Sequence, residues 1–467
     1  MPLSSVAHSV AARASARALF LAAAVALGAV PAAAPALAAP PRELAVKADG
    51  LIENDAARLT AIYKDLHQHP ELAFEEKRTA GVVARELKAL GYDVREGVGG
   101  TGVVAILRNG PGPVVMYRAD MDANAVKEET GLPYASKVRV KRGDGVEVPV
   151  AHMCGHDAHV TWMLGMAKAM AELKAEWSGT LVLVAQPAEE TIAGAKAMVA
   201  DGLYGKDGAP KPDYLVGLHA APVPLGVVAN APGPRMAGTD QIDVTFRGVG
   251  GHGSMPQLAR DPVVMAAQAV LGYQTVVSRM IDPQDTAVIT VGSVQAGADN
   301  NVIPDSASLK LNLRWYRPEV REQLLKGVRA VNEGVTATYG PPGADAPALV
   351  MKGGSTPLVN DPKLAARLAE SLRATLGDKA VLTDFPRATG SEDFHLLLGD
   401  HRDVPVNYAF VGVADPGVFT RAAREGRKLP YANHSPNFVV DLKAIPFGAR
   451  VATLTVLELL ARPAGQR

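Results

Sequence analysis

The amino-acid sequence predicts an α/β protein whose largely parallel central sheet is interrupted by a smaller ferredoxin-like α+β unit. Three observations predict it. Apolar β-rich runs alternate with amphipathic helical stretches up to about residue 234; a β-α-β-β-α-β order occupies 235–350; α/β patterning returns over 351–467.

Taken in order, residues 1–38 read as a segment apart from the fold. They contain no acidic residue and two strong bases, Arg13 and Arg17, followed by an Ala/Leu/Val run from about Ala18 to Val30. Ala36-Leu37-Ala38 then supplies small residues at a cleavage position, which completes the pattern of a secretory signal peptide. The run is short of the roughly 20 apolar residues that span a bilayer. The expectation is a protein exported to the periplasm or the medium, with no membrane anchor.

Helical periodicity covers about 44–66, where Ala56, Leu59, Ile62, Tyr63 and Leu66 share a side, and about 75–90. Strands are expected at Val103–Leu107, Val114–Tyr117, Leu181–Val184 and Tyr214–Leu218, with helices near 156–174 and 193–201. The inserted unit reads as strand 241–247, helix 260–280, strands 287–295 and 307–315, helix 318–338 and strand 347–352. Pro/Gly punctuation flanks it, Ala231-Pro232-Gly233-Pro234 before and Pro341-Pro342-Gly343 near its end. The expected division is therefore 44–234 with 351–467 as one domain, and 235–350 as a second.

Composition excludes more than it names. The 467 residues are 48% hydrophobic and 21% charged, enough for a buried core and no case for disorder. Lys+Arg 48 balances Asp+Glu 48, so no bulk cationic field points to nucleic acid. A single cysteine, Cys154, rules out an intrachain disulfide, and in an exported protein a lone thiol calls for burial or a chemical commitment.

Five short segments set metal-ligating or acid/base side chains near apolar runs: Arg118-Ala119-Asp120-Met121-Asp122; His152 to His159; Gln186-Pro187-Ala188-Glu189-Glu190; Gly217-Leu218-His219; and His434-Ser435-Pro436-Asn437-Phe438. Sites in open α/β sheets form just beyond the carboxyl ends of strands, where the middle three of these can converge. Thiolate, imidazole and carboxylate are the donors that zinc and similar ions take. Cys154, His156, Glu190, His219 and His434 exceed what one four-coordinate ion needs, which points to two adjacent ions. Of the pair Glu189-Glu190, one can ligate while the other moves a proton; spacing does not choose between them. The glycine-rich loop Gly248–Pro256 lacks the Lys-Ser/Thr of a phosphate loop; it holds His252 either near a developing oxyanion or in an ordinary surface turn. Asn301 and, at the end of the next strand, Arg314 either grip a substrate carboxylate or cap a turn.

With these residues in place the sequence resembles the zinc-dependent amidohydrolase/carboxypeptidase family of hippurate hydrolases, N-acyl-amino-acid amidohydrolases and plant indole-acetyl-amino-acid hydrolases. The resemblance covers about residues 50–460 and rests on His67-Gln68-His69-Pro70-Glu71-Leu72, Arg118 to Asp122, Met153 to Asp157, Glu189-Glu190, Gly251 to Ser254, Asn301 to Pro304, Gly390 to Phe394 and His434-Ser435-Pro436, in that order. It implies a catalytic domain with two divalent ions, zinc first, with manganese, cobalt or nickel as alternatives. It implies Cys154, His156, Glu190, His219 and His434 as ligands and Glu189 as general base. It also implies a lid domain that forms a homodimer, His252 as the lid histidine that steadies the oxyanion, and Asn301 and Arg314 as carboxylate binders. Peptidase relatives carry His in place of Arg118 and Asp in place of Cys154, so the resemblance places this chain on the amidohydrolase branch.

The expected activity is hydrolysis of the amide bond of an N-acyl amino acid, a small-molecule substrate, to a carboxylate and a free amino acid. The competing readings are a metallo-dipeptidase or carboxypeptidase of the same fold and a non-catalytic exported binding protein. A complete ligand set with its base argues against the last.

Overall fold

The computed structural model describes residues 42–462, apart from Asp144 and Asp207. The proposed signal peptide, 1–38, lies outside the described residues. Among those described, no helix is long and apolar enough to cross a membrane.

The chain begins with helices α1 (Arg42–Gln68) and α2 (Lys77–Ala89), then strands β1 (Asp93–Val98), β2 (Gly102–Asn109) and β3 (Val114–Asp120). Helix α3 (His156–Glu172), β4 (Gly179–Gln186), α4 (Gly194–Ala200), β5 (Tyr214–Pro224) and the short β6 (Val228–Ala229) follow. The middle of the chain supplies β7 (Gly238–Arg247), β8 (Gly251–His252), α5 (Pro262–Met280), β9 (Ala287–Ala296), β10 (Val302–Ile303), β11 (Ser306–Trp315), α6 (Pro318–Tyr339) and β12 (Val350–Ser355). The remainder holds α7 (Pro362–Leu376), β13 (Val381–Leu382), β14 (Val406–Ala414), α8 (Pro416–Arg424) and α9 (Ala444–Leu460).

Eight strands form one sheet in the order β1-β2-β4-β3-β5-β14-β6-β13. Its centre, β4-β3-β5-β14, is parallel. The sheet is largely parallel, as expected; near one edge β2 runs antiparallel to both of its neighbours, and the tight turn Gly99-Gly100-Thr101 that joins it to the edge strand β1 is so short that it allows only antiparallel pairing of the two. Central strands such as β4 and β14 are buried almost throughout, which is why they read as unbroken apolar runs. Helices α1, α3 and α9 stack on one face over a core that includes Leu59, Trp162 and Leu457. Close packing there depends on Gly448, where a Cβ would lie 2.1 Å from the Trp162 ring, and the Trp162 indole donates to Ala444 O at 2.9 Å. Phe394, Leu397 and Tyr408 centre the core of the other face.

The second sheet, β9-β11-β7-β12, is antiparallel throughout and carries α5 and α6 over its own core of Phe246, Tyr273, Leu311 and Leu324. Its element order is the β-α-β-β-α-β expected, although β12 runs on to Ser355. In β7 and β11 alternate residues turn inward to this core, and the register sets Thr239 opposite Arg314 and Gln241 opposite Asn312 on the other face.

Candidate metal centre

Three parallel strands deliver the site. β3 ends at Asp120, β4 ends at Gln186 just before Glu189-Glu190, and β5 carries His219 two residues beyond its last pairing with β3. Helix α3 starts at His156, so Cys154 and His156 flank a helix N-terminus, where backbone N–H groups favour an anionic sulfur. Gly155 makes the turn possible: its φ is 86°, and a Cβ there would lie 2.8 Å from the Ala220 side chain.

The five predicted donors come together. Cys154 Sγ lies 3.6 Å from His219 Nε2 and 3.3 Å from His434 Nε2, so the thiol stands between the two histidines. His156 Nε2 faces Glu190 Oε1 at 3.7 Å and Glu189 Oε2 at 3.9 Å, and His434 Nε2 is 3.2 Å from Glu190 Oε1. Cys154, His156 and His219 offer ligand atoms within 4.8 Å of one another, and so do Cys154, Glu190 and His434; the thiol is common to both sets. Both ring nitrogens of buried His156 lack a hydrogen bond, and so does Glu190 Oε1. Buried polar atoms left this way are costly unless an ion takes them, and the sulfur, nitrogen and oxygen donor set suits zinc and its neighbours. The residues therefore fit a pair of divalent cations.

Electrostatics agree with that use. Burial pushes the Cys154 thiol up, as does Glu190, yet His219 and His156 bring it down to about 6. Burial likewise raises Glu190, but His434 and His156 draw it down to about 2. Glu189 goes the other way: burial first, then Glu392 and Glu190, hold its carboxyl well above the usual range.

A layer of buried groups orients these donors. Asp122 Oδ1 accepts from Glu189 N at 3.1 Å, Oδ2 accepts from Glu190 N at 2.9 Å, and Oδ1 lies 3.4 Å from His156 Nδ1. His219 Nδ1 donates to Ala220 O at 2.8 Å, which leaves Nε2 bare toward Cys154. His159 Nε2 accepts from Ala220 N at 2.7 Å, so its Nδ1 carries the hydrogen given to Asp120 at 2.5 Å. Arg118, 1% exposed, binds Asp120 and Glu392 at 2.7 Å each and Gln186 at 2.9 Å, and Asp120 Oδ2 in turn lies 3.5 Å from His156 Nε2. His434 is held in the left-handed region, φ 65°, by its N–H bond of 2.6 Å to Met153 O. Sequence reasoning passed over Asn433, whose amide donates to Ala220 O at 3.2 Å and sits 3.8 Å from Cys154 Sγ; its one signal was adjacency to His434.

The centre opens into a cavity of about 520 Å³. One wall is polar and comes from the second sheet: Thr239, Gln241 and Arg314, with Ser391 beside them. The lining also includes the apolar side chains of Val223, Met236, Phe385, Phe410 and Leu429; Phe410 packs on the His219 ring at 5.9 Å. Arg314, the expected carboxylate binder, lines the cavity. Its Nε donates to Asn312 Oδ1 at 2.7 Å and its Nη1 to Ser391 Oγ, and among the described residues no carboxylate pairs with it. His252 and Asn301 are not brought in. His252 lies exposed on β8 and Asn301 lies exposed just before β10, where Gly253 N donates to Asn301 O at 2.8 Å and Ser254 Oγ meets His252 Nδ1 at 2.8 Å; neither lines the cavity.

A model of peptidase family M20/M25/M40 matches residues 116–458. A Bacillus subtilis protein named putative amidohydrolase YhaA is 34% identical over 413 residues, which cover 88% of this chain and 96% of that one. Hippurate hydrolase of Campylobacter jejuni is 39% identical over 283 residues, 58% of this chain and 70% of its own. Among solved structures, the Bacillus subtilis YXEP protein, described as a dinuclear metal-binding peptidase from the M20 family, matches with a TM-score of 0.67 and 28% identity across 87% of this chain and 99% of that one.

Proposed function

The chain belongs to peptidase family M20/M25/M40, a family of metal-dependent hydrolases, and we propose that it cleaves the amide bond of N-acyl amino acids to give a carboxylate and a free amino acid. What carries the reading is the charge pattern of the cavity. Its one guanidinium, Arg314, has no carboxylate partner among the described residues, and the only acidic side chains in the lining are Glu189 and Glu190, both engaged at the centre. A substrate carboxylate gains a charge-assisted partner at Arg314. The free ammonium of a dipeptide finds no anion left for it, whereas an acyl group finds Phe385, Phe410 and Met236. The acyl groups favoured are therefore bulky and apolar.

Cys154, His156, Glu190, His219 and His434 would hold two divalent ions, zinc by donor chemistry, which supply Lewis-acid polarisation of the scissile carbonyl. Glu189 takes a proton from the attacking water as its oxygen bonds to the carbonyl carbon. The same carboxyl then gives that proton to the leaving nitrogen as the C–N bond breaks.

Two further readings travel with this one. Residues 1–38 direct export, checked by the N-terminal mass of the protein recovered from outside the cytoplasm. The chain works as a homodimer, in which His252 and Asn301 serve the partner's cavity. The test of the main reading is amine release by zinc- or manganese-loaded protein from N-acetyl, N-benzoyl and indole-acetyl amino acids and simple dipeptides. N-benzoyl and indole-acetyl substrates should exceed N-acetyl ones, with dipeptides inert. Cleavage of dipeptides alone would move the protein to a peptidase role.

A further inference from the structure

Glu76 is a buried carboxylate that the chemistry above does not use. It stands just before α2 and is 0% exposed. Its Oε1 accepts from Ala188 N at 2.8 Å, 112 residues away along the chain, and from Phe74 N at 3.0 Å; its Oε2 accepts from the Thr101 hydroxyl. Ala188 lies on the turn that carries Glu189 and Glu190. That turn is strained, with Ala188 at φ 51° and Ile192 at φ 56°, in the left-handed region that side chains with a Cβ disfavour.

Three successive backbone N–H groups on this turn, those of Ala188, Glu189 and Glu190, are each taken by a buried carboxylate from elsewhere: Glu76 for the first, Asp122 for the other two. The segment bearing Glu76 is itself tied to the Asp122 strand end, because Ala123 N donates to Glu71 O at 2.8 Å. Burial lifts the Glu76 carboxyl to about 7 despite its bonds to Thr101 and Ala188, so the group occupies a place that is costly for a carboxylate. An acceptor kept in such a place, aimed at one N–H of a strained turn, has a geometric task.

We propose that Glu76 is a positioning residue for Glu189: by holding Ala188 in its left-handed conformation it sets where the base stands relative to the metal ligands. The proposal rests on Glu189 acting as the base, and the test separates the two, because a parent enzyme inert toward every acylated substrate fails that reading before any Glu76 variant is compared.

Kinetics, metal content and thermal melting are measured for Glu76→Gln, Glu76→Asp and Glu76→Leu. The glutamine amide keeps an oxygen for the N–H groups of Ala188 and Phe74 and turns its NH2 to Thr101, so kcat should stay within about threefold of the parent. Aspartate keeps the charge but falls short, and leucine has no acceptor. Both should lose about tenfold or more in kcat with KM within about twofold and metal content unchanged, as a displaced base requires. Adding Ala188→Gly to Glu76→Asp should recover part of the lost kcat, since glycine enters the left-handed region freely. Parent kcat in Glu76→Leu, glutamine failing as aspartate does, or a loss that merely tracks lost metal or lost folded protein would overturn the proposal. Should Glu76→Leu not fold, the aspartate–glutamine contrast and the Ala188→Gly recovery still decide it.

Discussion

Asp122 shows how one side chain serves several others. It holds the backbone of both members of the glutamate pair and stands 3.4 Å from the ring nitrogen of His156 that faces away from the other ligands. Groups of this kind fix ligand orientation, and their loss typically costs 10–100-fold in metal affinity. Asp122→Ala should weaken metal binding by about that factor, read by titrating zinc into chelator-treated protein; unchanged affinity would remove Asp122 from this role. The expected donors were legible in the sequence because most sit near a strand end or helix start, where side-chain chemistry stands out from apolar surroundings; His434, in the loop between α8 and α9, is the exception. Their supports were not. Glu76 and Asn433 bond to residues 112 and 213 positions away, and Asp122, noted in its segment but not for this task, to residues 67 and 68 positions away; no local pattern records such a pairing. Cys154, unexplained as a lone thiol, is accounted for by its place between two sets of metal donors.

Among elements, α1 and α3 are joined by a charge contact whose stability depends on pH. His67, in the last turn of α1, lies 2.6 Å from Asp157 in the first turn of α3 and 3.2 Å from Glu128. Burial lowers its pKa, but the bonds to Asp157 and Glu128 outweigh burial and lift it to about 9. A folded pKa above the unfolded value means the contribution is full below about pH 6.5 and is lost as pH rises through about 9. Thermal melting should therefore fall between pH 7 and 9.5, and fall less in His67→Gln; equal slopes would show the imidazolium to be irrelevant. At this scale the sequence was highly readable. Expected helices 44–66, 156–174 and 318–338 appear as Arg42–Gln68, His156–Glu172 and Pro318–Tyr339. Not located were the two-residue strands β8 and β10, the separate elements of 360–467 such as β14 and α9, which read only as α/β patterning, and β1, β6 and β13. Of the last three, β1 is half exposed, and β6 and β13 are two-residue strands whose pairing depends on distant partners; none carries a periodic signal of its own.

Over the whole molecule, the expected donors cluster at the strand ends of the larger sheet, and the smaller sheet adds Thr239, Gln241 and Arg314 to the cavity lining, so the proposed chemistry and the proposed carboxylate binding draw on different sheets. The position of His252 and Asn301, exposed and away from this chain's cavity, is what the dimer reading explains. Light scattering should give twice the chain mass, and His252→Ala should lower kcat while metal content stays at the parent level. A monomer with full activity would leave both residues without a role in turnover. No sequence pattern placed them apart from the ligands, because the distance is set by packing of the two sheets rather than by any local motif. The proposed chemistry turns on one carboxylate, that of Glu189. The measurement that tests it most directly is turnover of an N-benzoyl amino acid by Glu189→Gln, with metal per chain determined on the same sample. Metal content should equal the parent's, and kcat should fall at least about a hundredfold, the scale of a missing general base. Intact turnover at unchanged metal content would contradict it.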